Sequence, residues 1–73
     1  MSAVYKSIEM VGTSAESFDD AVRQAVRRAG QSVRNLEWLE VEEQRGYLRG
    51  TDIAEFQAKV TIWFKLEEGA QPS

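Results

Sequence analysis

Cysteine and histidine are both absent from the sequence. Without cysteine there is no disulfide, no thiolate nucleophile and no Cys-based zinc site. Without histidine the usual metal ligand and the commonest general base near neutral pH are gone. Proline occurs once, and no apolar run approaches the roughly 20 residues that span a bilayer. Positive charge is the minority: nine bases against twelve acids leave a net charge of −3, which argues against nucleic-acid binding. The start, "MSAVYKSIEM", shows no basic segment followed by an apolar run, so no signal peptide is expected and a soluble cytoplasmic protein is the default. At 73 residues the chain reads as one domain. A core of that size rarely supplies more than about 3–5 kcal/mol. Of the usual supports for small domains, disulfides, metals and oligomerisation, only the last stays in good standing.

What is present is alternation. "VYKSIEMVG" (Val4 to Gly12) predicts a strand with Val4, Ile8 and Met10 on one side and Tyr5, Ser7 and Glu9 on the other. "GTSAES" breaks that pattern and leads into a helix. Ser17 is the expected N-cap, with Asp20 at the capping-box position and Asp19 and Asp20 at the positive end of the helix dipole. Phe18, Ala21, Val22, Ala25, Val26 and Ala29 form a narrow stripe of mostly small residues at helical spacing, and Gly30 marks the helix end. Arg23, Gln24, Arg27 and Arg28 form the opposite, solvated face. Two strands follow, Asn35 to about Arg45 and about Ala54 to Leu66, joined by "GYLRGTD" as a hairpin loop. The last strand turns Phe56, Ala58, Val60, Ile62, Phe64 and Leu66 to one face and Gln57, Lys59, Thr61, Trp63 and Lys65 to the other. The expected fold is α+β: a β-α-β-β chain whose three-stranded antiparallel sheet wraps around one helix. The domain is expected over residues 1–67, and the polar stretch 68–73 as a flexible tail.

The second face of such a sheet is uncovered and carries Trp38, Gln57, Thr61 and Trp63. Trp38 reads either as an oligomer contact or as a platform for a planar ligand. Gln57 lies on the neighbouring strand, so both side chains are expected to reach one pocket. Its carboxamide places a donor beside an acceptor, which matches the edge of a flavin or base, though a solvated surface glutamine satisfies the same pattern. Arg45 and Lys65 either hold a phosphate or pair with Glu40, Glu42 or Glu67. Glu40, Glu42 and Glu43 form no matched carboxylate pair, so neither catalysis nor a metal is assigned to them.

Taken together, "VYKSIEMVGTS", "DDAVRQAVRRA", "RNLEWLEVEEQRG" and "AEFQAKVTIWFKLE" resemble the dodecin family, and the resemblance covers nearly the whole chain. The "VGTS" turn, "RNLxW", "VxEQRG" and the "FQ" that opens the last strand carry it jointly. The resemblance implies a β-α-β-β subunit of a hollow dodecamer that stores flavin and quenches its photochemistry, and not an enzyme. It implies that Trp38 stacks on a flavin, in tandem pairs at a two-fold axis, and that Gln57 bonds the flavin's pyrimidine edge. It further implies that Arg45 and a basic residue at position 65 hold the phosphate of FMN, with riboflavin or FAD as other flavins and coenzyme A as a further ligand of some members. A plain structural shell, or a coenzyme A or nucleotide carrier, is the alternative. Position 65 is Lys where many relatives carry Arg, which keeps the charge and loses the bidentate fork. Trp63 stands where relatives have a small residue; it either adds a ring to the pocket, packs in an assembly interface or narrows the site.

Overall fold

A computed structural model describes residues 2–67. Four elements follow one another: β1 (Tyr5–Ser14), α1 (Phe18–Gly30), β2 (Leu36–Arg49) and β3 (Asp52–Lys65). They form a three-stranded antiparallel sheet in the order β1-β3-β2. The β-α-β-β order and antiparallel sheet are those read from the sequence. The expected tail at 68–73 lies outside the described residues.

The turn into α1 is built from side chains. Ser14 Oγ accepts from the amides of Glu16 and Ser17 and donates to Asp20 Oδ2 at 2.7 Å. Ser17 Oγ accepts from the Asp20 amide at 3.0 Å, so the expected N-cap is in place. The helix then lays Ala21, Ala25 and Ala29 on Ala58, Val60 and Ile62, with Ile8, Met10, Val22, Val26, Leu36 and Leu39 packed around them. Small residues let the helix come very close. A Cβ added at Gly12 would lie 1.9 Å from the carbonyl oxygen of Ala21, so only glycine fits there.

Two strand boundaries differ from the sequence reading, while the helix end agrees with it. β1 runs on through Gly12 to Ser14, while Val4 lies before the strand and is exposed, not part of the apolar face. Gly30 ends the helix as expected, though without a positive φ; the left-handed non-glycine residue is Asn35 (φ 64), just before β2. Most of "GYLRGTD" is strand: Arg49 pairs with Asp52, and the turn is only Gly50 (φ 64) and Thr51. Glycine at the first central position, with positive φ, is what a tight type II′ hairpin turn requires.

That short turn makes β2 and β3 long. Fourteen residues of strand reach about 46 Å at 3.3 Å per residue, whereas thirteen helical residues reach about 20 Å. The helix therefore covers less than half of the sheet, and the β2–β3 hairpin projects as an arm carrying exposed Tyr47, Leu48 and Ile53. The molecule measures 53 × 20 × 17 Å with a radius of gyration of 15.2 Å, against about 11 Å for a compact chain of this length. Its accessible surface of 5367 Å² exceeds the about 4,600 Å² of a compact monomer of the same mass.

Candidate functional site

The outer face of the sheet is set by register. Leu36 pairs with Phe64 and Trp38 with Trp63, with a bulge between them; Leu39 then pairs with Ile62 and Glu40 with Thr61. The extra residue of the bulge allows Leu36 and Leu39 to face the helix while Trp38 faces away. A second bulge between Val41 and Glu43 leaves both Glu42 and Glu43 on the outer side. There Glu42 Oε2 accepts from Thr61 Oγ1 at 3.1 Å.

The side chains singled out from the sequence fall into two groups. At one end of the sheet, Trp38 is 45% exposed. Trp63 stacks on it with centroids 5.7 Å apart and planes 18° apart, and Tyr5 meets it at 4.9 Å and 58°. Lys65 is beside them, paired with Tyr5 across β1 and β3. It borders a polar cleft of about 510 Å³ with Asn35, Glu37, Leu66 and Glu67. At the other end Arg45 pairs with Gln57. Arg45 Nε donates to Gln57 Oε1 at 3.0 Å, and Gln57 Nε2 donates to Glu55 Oε2 at 3.1 Å.

The two groups do not meet in one chain. Gln57 is six residues from Trp63 on β3, about 20 Å of extended strand, and eight from Lys65, about 26 Å. The expected single pocket shared by Trp38 and Gln57 therefore does not form within one copy. The physical reason is the hairpin: with its turn at Gly50 and Thr51, the antiparallel register sets Gln57 opposite Arg45 and Trp38 opposite Trp63.

The ion pairs expected for the two cations also differ. Among the described residues Arg45 pairs with Glu43 at 3.8 Å, Glu67 pairs with Arg34 at 3.2 Å, Lys59 pairs with Glu9 at 3.7 Å, and Lys65 is in no ion pair. Trp63 Nε1–H donates to Glu40 Oε1 at 2.9 Å, and the sequence reading anticipates neither this bond nor the Tyr5 contact. The outward parity of Tyr5 and Glu40 was readable, but the strand order that brings Tyr5 to Trp38 was not. A second opening, of about 190 Å³, lies between α1 and β2 and is lined by Val26, Leu36, Glu37, Trp38, Leu39 and Ile62. It marks the flank of the core that the helix leaves uncovered.

The residues present fit a planar, phosphate-bearing ligand such as a flavin nucleotide. An indole stays half open on a flat face. Gln57 retains one acceptor lone pair and one amide hydrogen beyond its two internal bonds, and Arg45 retains further donors. No set of three or more metal-ligating side chains converges among the described residues, and no helix there is long and apolar enough to cross a membrane.

An extended subunit with an open aromatic face and polar groups at both ends of its sheet is a small binding protein built to work in an assembly. The chain belongs to the Dodecin family, whose model matches residues 4–67. It is 41% identical over 68 residues to the dodecin of Thermus thermophilus, covering 93% of this chain and 99% of that one. The structure of the dodecin from Streptomyces davaonensis superposes with a TM-score of 0.88 at 40% identity, covering 93% of this chain and 100% of that one. The calcium dodecin of Mycobacterium tuberculosis, described with a novel calcium-binding site, superposes with a TM-score of 0.76 at 33% identity, covering 96% and 99%.

Proposed function

We propose that the protein is a cytoplasmic, flavin-sequestering subunit of a homo-oligomer, a dodecamer, which stores flavin at its subunit interfaces and quenches its photochemistry without turnover. The observation that carries this reading is the half-open Trp38 indole on an outer sheet face, about 20 Å from the Gln57 carboxamide that would complete a ring site. Two copies supply both parts of one site where one copy cannot. Trp38 offers the π-face, Gln57 its spare donor and acceptor, and Arg45 and Lys65 cationic donors for a phosphate. A bound flavin would supply a planar, light-absorbing and redox-active ring. The Trp38 indole is an electron-rich donor that would quench the emission of such a ring.

FMN is the flavin the two cations favour, with riboflavin and FAD able to use the same ring contacts. Coenzyme A or another nucleotide would engage Arg45 and Lys65 without needing Trp38. The M. tuberculosis relative is named for calcium; no acidic group of three converges among the described residues of this chain, and calcium is not part of the proposal. The test is the absorbance of the purified protein and the fluorescence of added FMN. Flavin absorbance, or quenching that saturates at a fixed ratio to protein, is expected; a colourless preparation that leaves FMN fully emissive would favour a structural shell.

A further inference from the structure

Trp63 occupies an outer position whose neighbour on β1 is Ser7, too small to fill the space above the sheet. Its indole instead leans the other way, onto Trp38. With centroids 5.7 Å apart and nearly parallel planes, rings at contact distance are displaced sideways by about 4.5 Å, an offset stack that leaves part of each face open. Trp63 is itself fastened: its Nε1–H donates to Glu40 Oε1 at 2.9 Å. A bond to a carboxylate is charge-assisted and roughly twice as strong as a neutral one. Glu40 and Trp38 are alternate outward residues of β2, so one strand supplies both the fastening and the ring being held. Tyr5 meets Trp38 as a third ring, yet Trp38 stays 45% exposed.

We propose that Trp63 is a positioning residue of the ring site: Glu40 fixes the Trp63 indole, and Trp63 fixes the Trp38 indole as a platform already formed before any ligand arrives. This rests on the flavin reading and deepens it. An exposed tryptophan on a strand samples several rotamers. Ordering such a side chain on binding weakens affinity roughly two- to twelvefold, which a platform held in advance avoids.

The test uses the assembled protein and two readouts. Without ligand, the stacked pair should give an exciton couplet in the far-ultraviolet circular dichroism. The couplet should vanish in Trp63→Gly and weaken in Glu40→Ala. In an FMN titration followed by fluorescence, Trp63→Gly should lose about three- to tenfold in affinity, with quenching of the bound fraction and the assembly mass unchanged. Trp63→Phe should recover most of that loss, because a phenyl ring can still stack. If Trp63→Gly disturbs the mass, Trp63→Phe and Glu40→Ala decide: their affinities must rank with how well the Trp38 ring is held. Variants that bind FMN like the parent, or more tightly, once the couplet is lost would overturn the proposal and make Trp63 an idle or competing ring. A parent with an intact couplet that binds no FMN would sink the flavin reading and this inference with it, a failure read in a different arm of the same titration.

Discussion

Trp38 owes its outward position to the bulge next to Glu37, which turns the indole away while its neighbours Leu36 and Leu39 keep the helix contact. A large ring in that place, on the face that also carries Glu40, Glu42 and Glu43, makes sense only if something covers it. Stacking of aromatic pairs contributes about 0.5–1.5 kcal/mol beyond area burial. Trp38→Ala should therefore weaken flavin binding at least about tenfold, or about 1.4 kcal/mol, and restore emission to what remains bound; fluorescence titration against the parent measures both. At the cationic positions, Arg45 keeps free donors and Lys65 is in no ion pair among the described residues. FMN should bind more tightly than riboflavin at low salt, and the gap should shrink as salt rises, because exposed charge is screened. Equal affinities in titrations at low salt would reject phosphate recognition and leave ring stacking standing. The outward parity of Trp38, Gln57, Trp63 and Lys65 was legible from alternation alone. Their partition into two groups was not, since it depends on where the hairpin turns.

At the scale of elements, the helix and its start were the most readable parts. Ser17, the acidic first turn and the alanine stripe carry local signals that need no tertiary context. The Asp20 carboxylate, by contrast, accepts from Ser14 and the Ser17 amide goes to Ser14 Oγ, so no capping box forms. The hairpin was the least readable. "GYLRGTD" holds two glycines, and composition does not say that Gly46 sits within paired strand while only Gly50 turns. Strand order is likewise a property of packing, so the approach of Tyr5 to Trp38 could not be anticipated. The cap network also has a pH signature. The Asp20 carboxyl is held below the usual carboxylate range by the hydrogen bond from Ser14, against partial burial, with Gln24 and the charges of Arg27 and Arg23 helping. A carboxylate whose folded value is depressed stabilises the fold above the unfolded value of about 3.9, and that contribution is lost as pH falls through the folded value. The melting midpoint of Asp20→Asn should thus lie below the parent's at neutral pH and converge with it in acid, at fixed protein concentration. A gap that stays constant down to about pH 2 would remove Asp20 from the acid response.

As a whole, the molecule is too long and too open to be complete alone. Only Ala21, Ala25, Ala29, Ala58, Val60 and Ile62 are buried apolar residues among those described, and the arm beyond the helix exposes Leu48 at 68%. Copies of the chain are the cover proposed for these surfaces. Light scattering should give about 100 kDa for twelve chains of 8.3 kDa, and Leu48→Asp should shift the protein to smaller species, because a charge would be buried where an apolar side chain packs. The central claim, that one ring site takes Trp38 from one copy and Gln57 with Arg45 from another, is tested by mixing two defective subunits. Trp38→Ala and the Gln57→Ala/Arg45→Ala double variant would each be assembled alone, then co-assembled in equal amounts and titrated with FMN. If the site is shared, the mixture should regain tight, quenched binding at about a quarter of the ring positions, the share in which random pairing joins an intact Trp38 to an intact Gln57 and Arg45. A mixture that binds FMN only as the weighted mean of its two parents would place all of these residues in one copy's site and contradict the account.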